Sequence, residues 1–476
     1  MPNLDLTTKI SRRTYGQHFT AANICKTYIL PHITPVLWKY CWLDLFAGEG
    51  DLIFPLLDQI EPAHRLDFFR DHIILRDVQA DCVENCIKRS KTYGIPDDLA
   101  RRNIQLQDSL EESTLLTSFS HYPFFHLTNP PYLYVGYIMK NRDSAQLRGY
   151  FQGKNAGYQD LYQLALMNDA RRKIENMIYI IPVNFLFGNA ISNKFRDDFL
   201  NEYSIQQILL FETKIFTHTG SNVLITFFNR KAHPKSEPLN FPVNKITSAN
   251  GELSPPKTYY LDPQNHYRAG ISFDQFILNH KASTPVKIHF YLQQKEIQEH
   301  QGITSISVID ANNFINGKYN SMTVHVTPEF AAYIRSNSLW IRTIDTGTEE
   351  GRVGLYSVQN SFDVEGILVS KNTYRTHPIQ LFFNPSLSID DQELIKQYFN
   401  LILEYLHEQT ESEFLTTYKY SNALYTRKYL GLSQARQIFS TFSVYLLRSP
   451  YRTELMTILS RKDIPELLKL IQKTKS

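Results

Sequence analysis

At 476 residues the chain is too long for one ordinary hydrophobic core, so two domains are expected. Its 42% hydrophobic and 20% charged residues are the composition of a folded soluble protein, and a formal net charge of +3 leaves no strong global field toward polyanions. A nucleic-acid partner would therefore need a local basic face. Four cysteines, Cys25, Cys41, Cys82 and Cys86, form no CxxC pair and lack zinc spacing, so reduced thiols and no metal site are expected. No run approaches the ~18 apolar residues of a membrane span, and the N-terminus has no apolar signal segment. Both observations lead to the expectation of a cytoplasmic protein with no membrane partner.

From residue 41 onward, strand-like and helix-like patterns alternate. "CWLDLFAG" (41–48) is a short apolar run ending in Gly, and "DLIFPLLDQI" (51–60) is compatible with a helix. "HIILRD" (72–77) reads as a strand and "ADCVENCIKRSKTY" (80–93) has helical spacing. "NIQLQD" (103–108), "PFFHL" (123–127) and "MIYIIP" (177–182) are three more strand candidates. Between the last two lies the amphipathic "YQDLYQLALMNDARRKI" (158–174). "IQQILLFE" (205–212) and "SNVLITFFNRK" (221–231) read as a closing pair of strands. Such alternation predicts an α/β fold, a parallel-rich sheet with helices on both faces. Ligands in such sheets bind at the carboxyl ends of the strands.

Those ends carry the chemistry. The first is followed by "DLFAGEGD" (44–51), where Gly48 and Gly50 flank Glu49 and let the backbone turn tightly beside a ligand. A plain turn uses the same pattern. The third glycine of the dinucleotide fingerprint is missing and no GxxxxGK[ST] occurs, which argues against nicotinamide and nucleoside-triphosphate binding. The second strand ends at Asp77, placed to accept hydrogen bonds from a ribose diol, although an acid there also suits a helix N-terminus. The third ends at Asp108-Ser109. The fourth ends in Asn129-Pro130-Pro131-Tyr132, a rigid turn, because proline lacks the backbone donor and locks φ.

Taken together, these residues resemble the S-adenosylmethionine-dependent amino-methyltransferases, in particular the DNA adenine-N6 methyltransferases of restriction-modification systems. Asn129-Pro130-Pro131-Tyr132 matches that family's catalytic motif, [DNS]PP[YFW], and "DLFAGEGD" matches its cofactor loop. "GQHFT" (16–20) is similar to its N-terminal cofactor motif, with Ala21 where proline is usual. "YQDLY" (158–162) and "VNFLFG" (183–188) resemble downstream segments, so the likeness covers about residues 12–232. The motif order is that of the gamma subgroup, in which target recognition follows catalysis.

The resemblance implies a Rossmann-like class I methyltransferase sheet binding S-adenosyl-L-methionine. The matching cofactor-binding positions are Gln17, Thr20, Asp44, Phe46, Ala47, Gly48, Gly50, Asp77, Val78, Asp108, Ser109 and Asn129. The Asn129 side-chain oxygen and the Pro130 carbonyl, stiffened by Pro131, would accept hydrogen bonds from an exocyclic amine. Tyr132 would stack on the flipped base. A second aromatic is implied in the late strand, as Phe228 or Phe227, since alternation lets only one of the pair face the site. Cytosine-C5 chemistry would need a Pro-Cys dipeptide, which is absent, and Asn129 favours adenine N6 over cytosine N4. Double-stranded DNA, a cognate restriction endonuclease as functional partner and a monomeric state are further implications.

Residues 1–235 are expected to form the catalytic domain. The Pro-, Ser-, Asn- and Lys-rich stretch 236–258 is expected as a linker, and 259–476 as a mixed α+β target-recognition domain. Helical patterns there cover 390–409 and 466–474. Two segments interleave basic and polar residues, "KNTYRTH" (371–377) and "TYKYSNALYTRKYLG" (417–431). From them Lys371, Arg375, Lys419, Tyr420, Ser421, Asn422, Arg427 and Lys428 are candidates for DNA contact, and a solvated tyrosine-rich surface would carry the same residues.

Overall fold

The computed structural model describes residues 20–111, 121–188, 192–213, 222–246, 251–346, 351–373, 377–410 and 428–475. These fall into two compact units that divide between Ala269 and Gly270.

The first unit is built on a nine-stranded mixed sheet. Its strands are β1 (Cys41–Asp44), β2 (Ile73–Asp77), β3 (Ile104–Leu106), β4 (Phe124–Thr128), β5 (Asn176–Pro182), β6 (Tyr203–Phe211), β7 (Val223–Arg230), β8 (Leu239–Ile246) and β9 (Lys257–Leu261), in the order β3-β2-β1-β4-β5-β7-β6-β8-β9. The first five in that order run parallel, and β7 runs antiparallel between β5 and β6. β1 and β2 are buried along their whole length, as parallel strands covered on both faces must be.

On one face Trp42, Leu75, Leu127, Ile178 and Ile180 pack against Ile24, Phe54, Leu57 and Phe69, and against helix α1 (Ala80–Lys91) through Val83, Cys86 and Ile87. Those α1 positions recur at helical spacing. Asp81 in the first turn and Lys88, Arg89 and Lys91 in the last also suit the helix dipole. The opposite face meets helix α2 (Leu161–Arg172), whose Asp169 reaches His126 on β4 and Tyr179 on β5. The four cysteines are buried and unbridged.

The linker expected over 236–258 is corrected by this sheet, since β8 falls inside it and β9 begins there. The Pro and Asn content suggested a connector, but "LNFPV" alternates apolar and outward residues. Leu239, Phe241 and Val243 are buried while Asn240 and Pro242 are exposed. The same compact unit continues through 262–269, where buried Arg196 of helix α3 (Asn193–Glu202) donates to the His266 carbonyl at 2.7 Å.

The second unit carries two four-stranded sheets and several helices. One sheet joins β10 (Ile288–Phe290), β14 (Leu339–Arg342), β15 (Gly354–Ser357) and β17 (Ile379–Phe383) in the order β10-β17-β14-β15. The other joins β11 (Leu292–Gln293), β12 (Gln301–Ile315), β13 (Lys318–Val326) and β16 (Gly366–Val369) in the order β11-β16-β12-β13. Helix α4 (Ile389–Gln409) buries Leu394, Ile395, Tyr398, Phe399, Ile402, Leu403 and Leu406 in the core of this unit. Ser388 caps it by accepting from the Asp391 amide. Among the described residues no helix is long and apolar enough to cross a membrane.

Candidate active site

The carboxyl ends of β1 to β4 open onto one cleft of about 280 Å³, close to the ~300 Å³ lower end of small-ligand sites. It lies beside the point where the strand order turns back on itself, between β1 and β4. The loop after β1 forms one wall. Gly48 and Gly50 adopt φ of 54° and 77°, and a Cβ on Gly50 would lie 2.4 Å from the Phe54 ring. The loop is laced to β2: the Gly48 amide donates to Asp77 Oδ2 at 2.8 Å, and the Ala47 amide to the Arg76 carbonyl at 2.9 Å. Asp77 Oδ1 accepts from the Gln79 amide at 2.9 Å, yet burial still pushes this carboxyl above its ordinary range.

Asp44 lies deeper. Its Oδ1 accepts from the Phe46 amide at 3.0 Å and the Thr128 hydroxyl at 2.6 Å, while burial outweighs these donors and pushes its pKa up to about 7. An acid whose folded pKa is raised adds stability that is full below the unfolded value of ~3.9 and is lost as pH rises through the folded one. Asp77 shifts the same way. Unfolding free energy is therefore expected to lose this contribution between pH 4 and 7. Asp44→Asn should flatten that slope in urea titrations at several pH values. An unchanged slope would show that Asp44 is not its source.

Behind the cleft, β4 is tied down through His126. The Leu45 amide donates to His126 Nε2 at 3.1 Å, so that nitrogen is the acceptor and the proton sits on Nδ1, which faces Asp169 Oδ2. Asp169 also accepts from the Tyr179 hydroxyl at 2.5 Å and from Arg172 at 3.2 Å. Burial opposes its charge, but His126, Arg172 and Tyr179 together hold its carboxyl below the usual range. This network fixes β4 and β5 to α2 and to the start of the glycine loop.

Asn129 stands on the rim where β4 ends. Its Nδ2 donates to Thr20 Oγ1 at 2.8 Å, and its Oδ1 accepts from the Tyr132 hydroxyl, which also lies 2.6 Å from the Ile180 carbonyl. The turn is held from below by "YQDLY". The Leu133 amide donates to Asp160 Oδ1 at 2.9 Å and the Val135 amide to the Gln159 carbonyl at 2.8 Å. Tyr132 is thus anchored at its hydroxyl, with its ring edge-on to Tyr162 at 6.5 Å, and burial raises its phenol well above the ordinary value.

Of the cofactor positions named from sequence, Thr20, Asp44, Phe46, Ala47, Gly48, Asp77, Val78, Asp108, Ser109 and Asn129 all line this cleft. Gly50 does not, and serves the turn behind it. Pro131 reaches the lining, while Pro130 is buried in the turn. Gln17, Arg375, Lys419, Tyr420, Ser421, Asn422 and Arg427 lie outside the described residues. Lys371 is exposed just after β16, and Lys428 pairs through its carbonyl with the Asp345 amide at 3.1 Å, both in the second unit.

The placement of Phe227 and Phe228 beside the site is corrected. β7 runs antiparallel to β5, so Val223 sits opposite Pro182 at the cleft end and Phe228 opposite Met177. Five residues at ~3.3 Å each set Phe228 about 17 Å back along the strand. There Phe228 packs edge-on against Phe185 and Phe199, and Phe227 against His32. Sequence reasoning also missed the cleft's far wall. Gln146, Leu147 and Tyr150 come from a 3-10 segment, Arg142–Phe151, and Tyr150 donates its hydroxyl to Asp108. No periodic signal marks that segment.

No family model matches the chain, and no curated protein matches it. Solved structures do. The methyltransferase subunit of a type I restriction-modification system from Streptococcus thermophilus is 14% identical over 48% of this chain and 47% of its own, with a TM-score of 0.35. The M protein of the type I restriction enzyme EcoKI is 13% identical over 65% of this chain and 63% of its own, with a TM-score of 0.36. The type IIL restriction-modification enzyme MmeI in complex with DNA is 13% identical over 98% of this chain and 76% of its own, with a TM-score of 0.46. The chain thus spans about half of the first of these proteins. At this identity and these scores the likenesses assign neither family nor activity.

Proposed function

We propose that this chain is a site-specific DNA methyltransferase that transfers a methyl group from S-adenosylmethionine to the N6 amine of a flipped adenine, protecting DNA in a restriction-modification system. The observation that carries the reading is the position of Asn129-Pro130-Pro131-Tyr132. The tetrapeptide ends β4 on the rim of the same cleft that the glycine loop, Asp77 and Asp108 line. In this reading the first unit is a class I methyltransferase sheet and the second recognises the target.

The cleft suits the cofactor. Asp77 would take a ribose diol and Asp108 an exocyclic amine. Ser109 Oγ is buried there with no hydrogen-bond partner among the described residues, a polar atom left for a ligand. S-adenosylmethionine, when bound, supplies an activated methyl group, so the protein needs no strong base. Asn129 Oδ1 and the Pro130 carbonyl accept the two amino protons and draw the nitrogen lone pair out of conjugation. The amine must replace the Tyr132 hydroxyl at Asn129, and that hydroxyl keeps the Ile180 carbonyl as a partner.

Asp77→Ala is expected to weaken S-adenosylmethionine binding roughly ten- to a hundredfold, the loss of a charge-assisted hydrogen bond. Calorimetry that found unchanged affinity would remove the ribose role. The whole reading is tested by incubating the protein with methyl-labelled S-adenosylmethionine and duplex DNA, total RNA or a protein extract, then digesting each product. N6-methyladenine from DNA is expected. Label in RNA or protein alone would overturn the proposal.

A further inference from the structure

We propose that the β12–β13 ribbon of the second unit reads base edges of duplex DNA from the major groove; this rests on the reading that DNA is the substrate. β16 pairs with β12 only over Val308–Asp310. The β12–β13 register breaks between Ile309 and Phe314, and beyond that bulge a short two-stranded hairpin, pairing Phe314 with Tyr319 and Ile315 with Lys318, is closed by Asn316-Gly317. Both turn residues have positive φ, 52° and 81°, which matches the strand twist and makes a tight, defined tip.

The two faces of the ribbon differ. Phe314 pairs with Tyr319, whose hydroxyl donates to the His377 carbonyl at 2.6 Å, and the Lys371 amide donates to Asn312 Oδ1 at 2.9 Å. Tyr319 and Asn312 are thereby braced against their own unit, while Phe314 is exposed. Ile315 pairs with Lys318 on the other face, which Asn320 joins by alternation along β13, while Asn313 lies in the bulged stretch of β12 beside them. All four are exposed, and Asn313, Lys318 and Asn320 have no side-chain hydrogen bond or ion pair among the described residues. From Ala311 to Thr323 the chain carries Lys318 and no Asp or Glu.

That chemistry selects the occupant. An uncontested lysine with free carboxamides suits a polyanion whose edges present paired donors and acceptors, and Asn is the side chain that pairs bidentately with adenine. The ~12 Å width of the B-DNA major groove admits a two-stranded ribbon. The major groove of duplex RNA is too narrow and deep for side chains to read.

The test uses the full chain, with Asn313→Ala/Asn320→Ala and Lys318→Ala as variants. Calorimetric affinity for S-adenosylmethionine is expected to stay at wild-type level in both. The double variant should methylate sites that differ from the native one at one or two base pairs, its discrimination there falling on the order of ten- to a hundredfold. Lys318→Ala should weaken binding to all duplexes alike and lower the slope of log affinity against log salt by about 1. If wild type methylates DNA while both variants keep its site set and salt slope, the ribbon is not the reader and the DNA methyltransferase reading stands. If wild type labels only RNA or protein, both fall.

Discussion

Asn129→Ala is expected to cut single-turnover methylation by about 10² to 10³-fold or more while leaving S-adenosylmethionine affinity within a few-fold of native. The asymmetry follows from where the side chain stands. Asn129 lines the cleft at the end of β4, whereas the bonds that hold the glycine loop to β2 run from the Gly48 and Ala47 amides to Asp77 and the Arg76 carbonyl. Its side chain bonds Thr20 and Tyr132, neither of which belongs to the glycine loop or to β2. In the proposed function, removing the carboxamide deletes one of two acceptors for the amine but none of the contacts that hold the loop to β2. Asn129→Asp keeps an acceptor oxygen and should retain more turnover than Ala. Equal losses of affinity and turnover in the Ala variant would make the residue a structural support for the cofactor and remove it from the chemistry.

Asp169→Ala is expected to cost roughly 3–5 kcal/mol of stability, the range for breaking a buried ion network by deleting one partner. Asp169 is fully buried and accepts from His126, Tyr179 and Arg172. Truncation would leave three donors facing a cavity. Against a net domain stability of about 5–15 kcal/mol, the effect should appear as a large fall in the urea midpoint. Because His126 also receives the Leu45 amide at the start of the glycine loop, S-adenosylmethionine should protect the variant less than it protects wild type. A midpoint equal to that of wild type would show that β4 is positioned by the apolar packing of Leu127 and its neighbours alone.

Much of the first unit is legible from the chain because the signals are local. β1, β2, β4 and β5 begin and end within a few residues of the apolar runs that announce them. Gly48, Gly50 and the Pro-Pro turn mark strand ends through backbone freedom or its loss, which any sequence displays. Asn316-Gly317 is an equally local hairpin signal. The alternation in "LNFPV" likewise announces β8, where composition alone suggests a connector.

What the chain by itself determined, then, is the order of its strands and the chemistry at their ends: a glycine turn, two carboxylates and a rigid acceptor turn. Tertiary structure alone decided which of these share a cleft and what stands opposite them. Tyr150 meets Asp108 across 42 positions, and Asp169 meets His126 across 43. No periodicity encodes such pairs. Phe227 and Phe228 obey strand alternation, but the antiparallel register of β7 against β5 sets them at the far end of the sheet. Alternation assigns a face to a side chain; distance along the strand from the site is set by pairing with a neighbour remote in sequence.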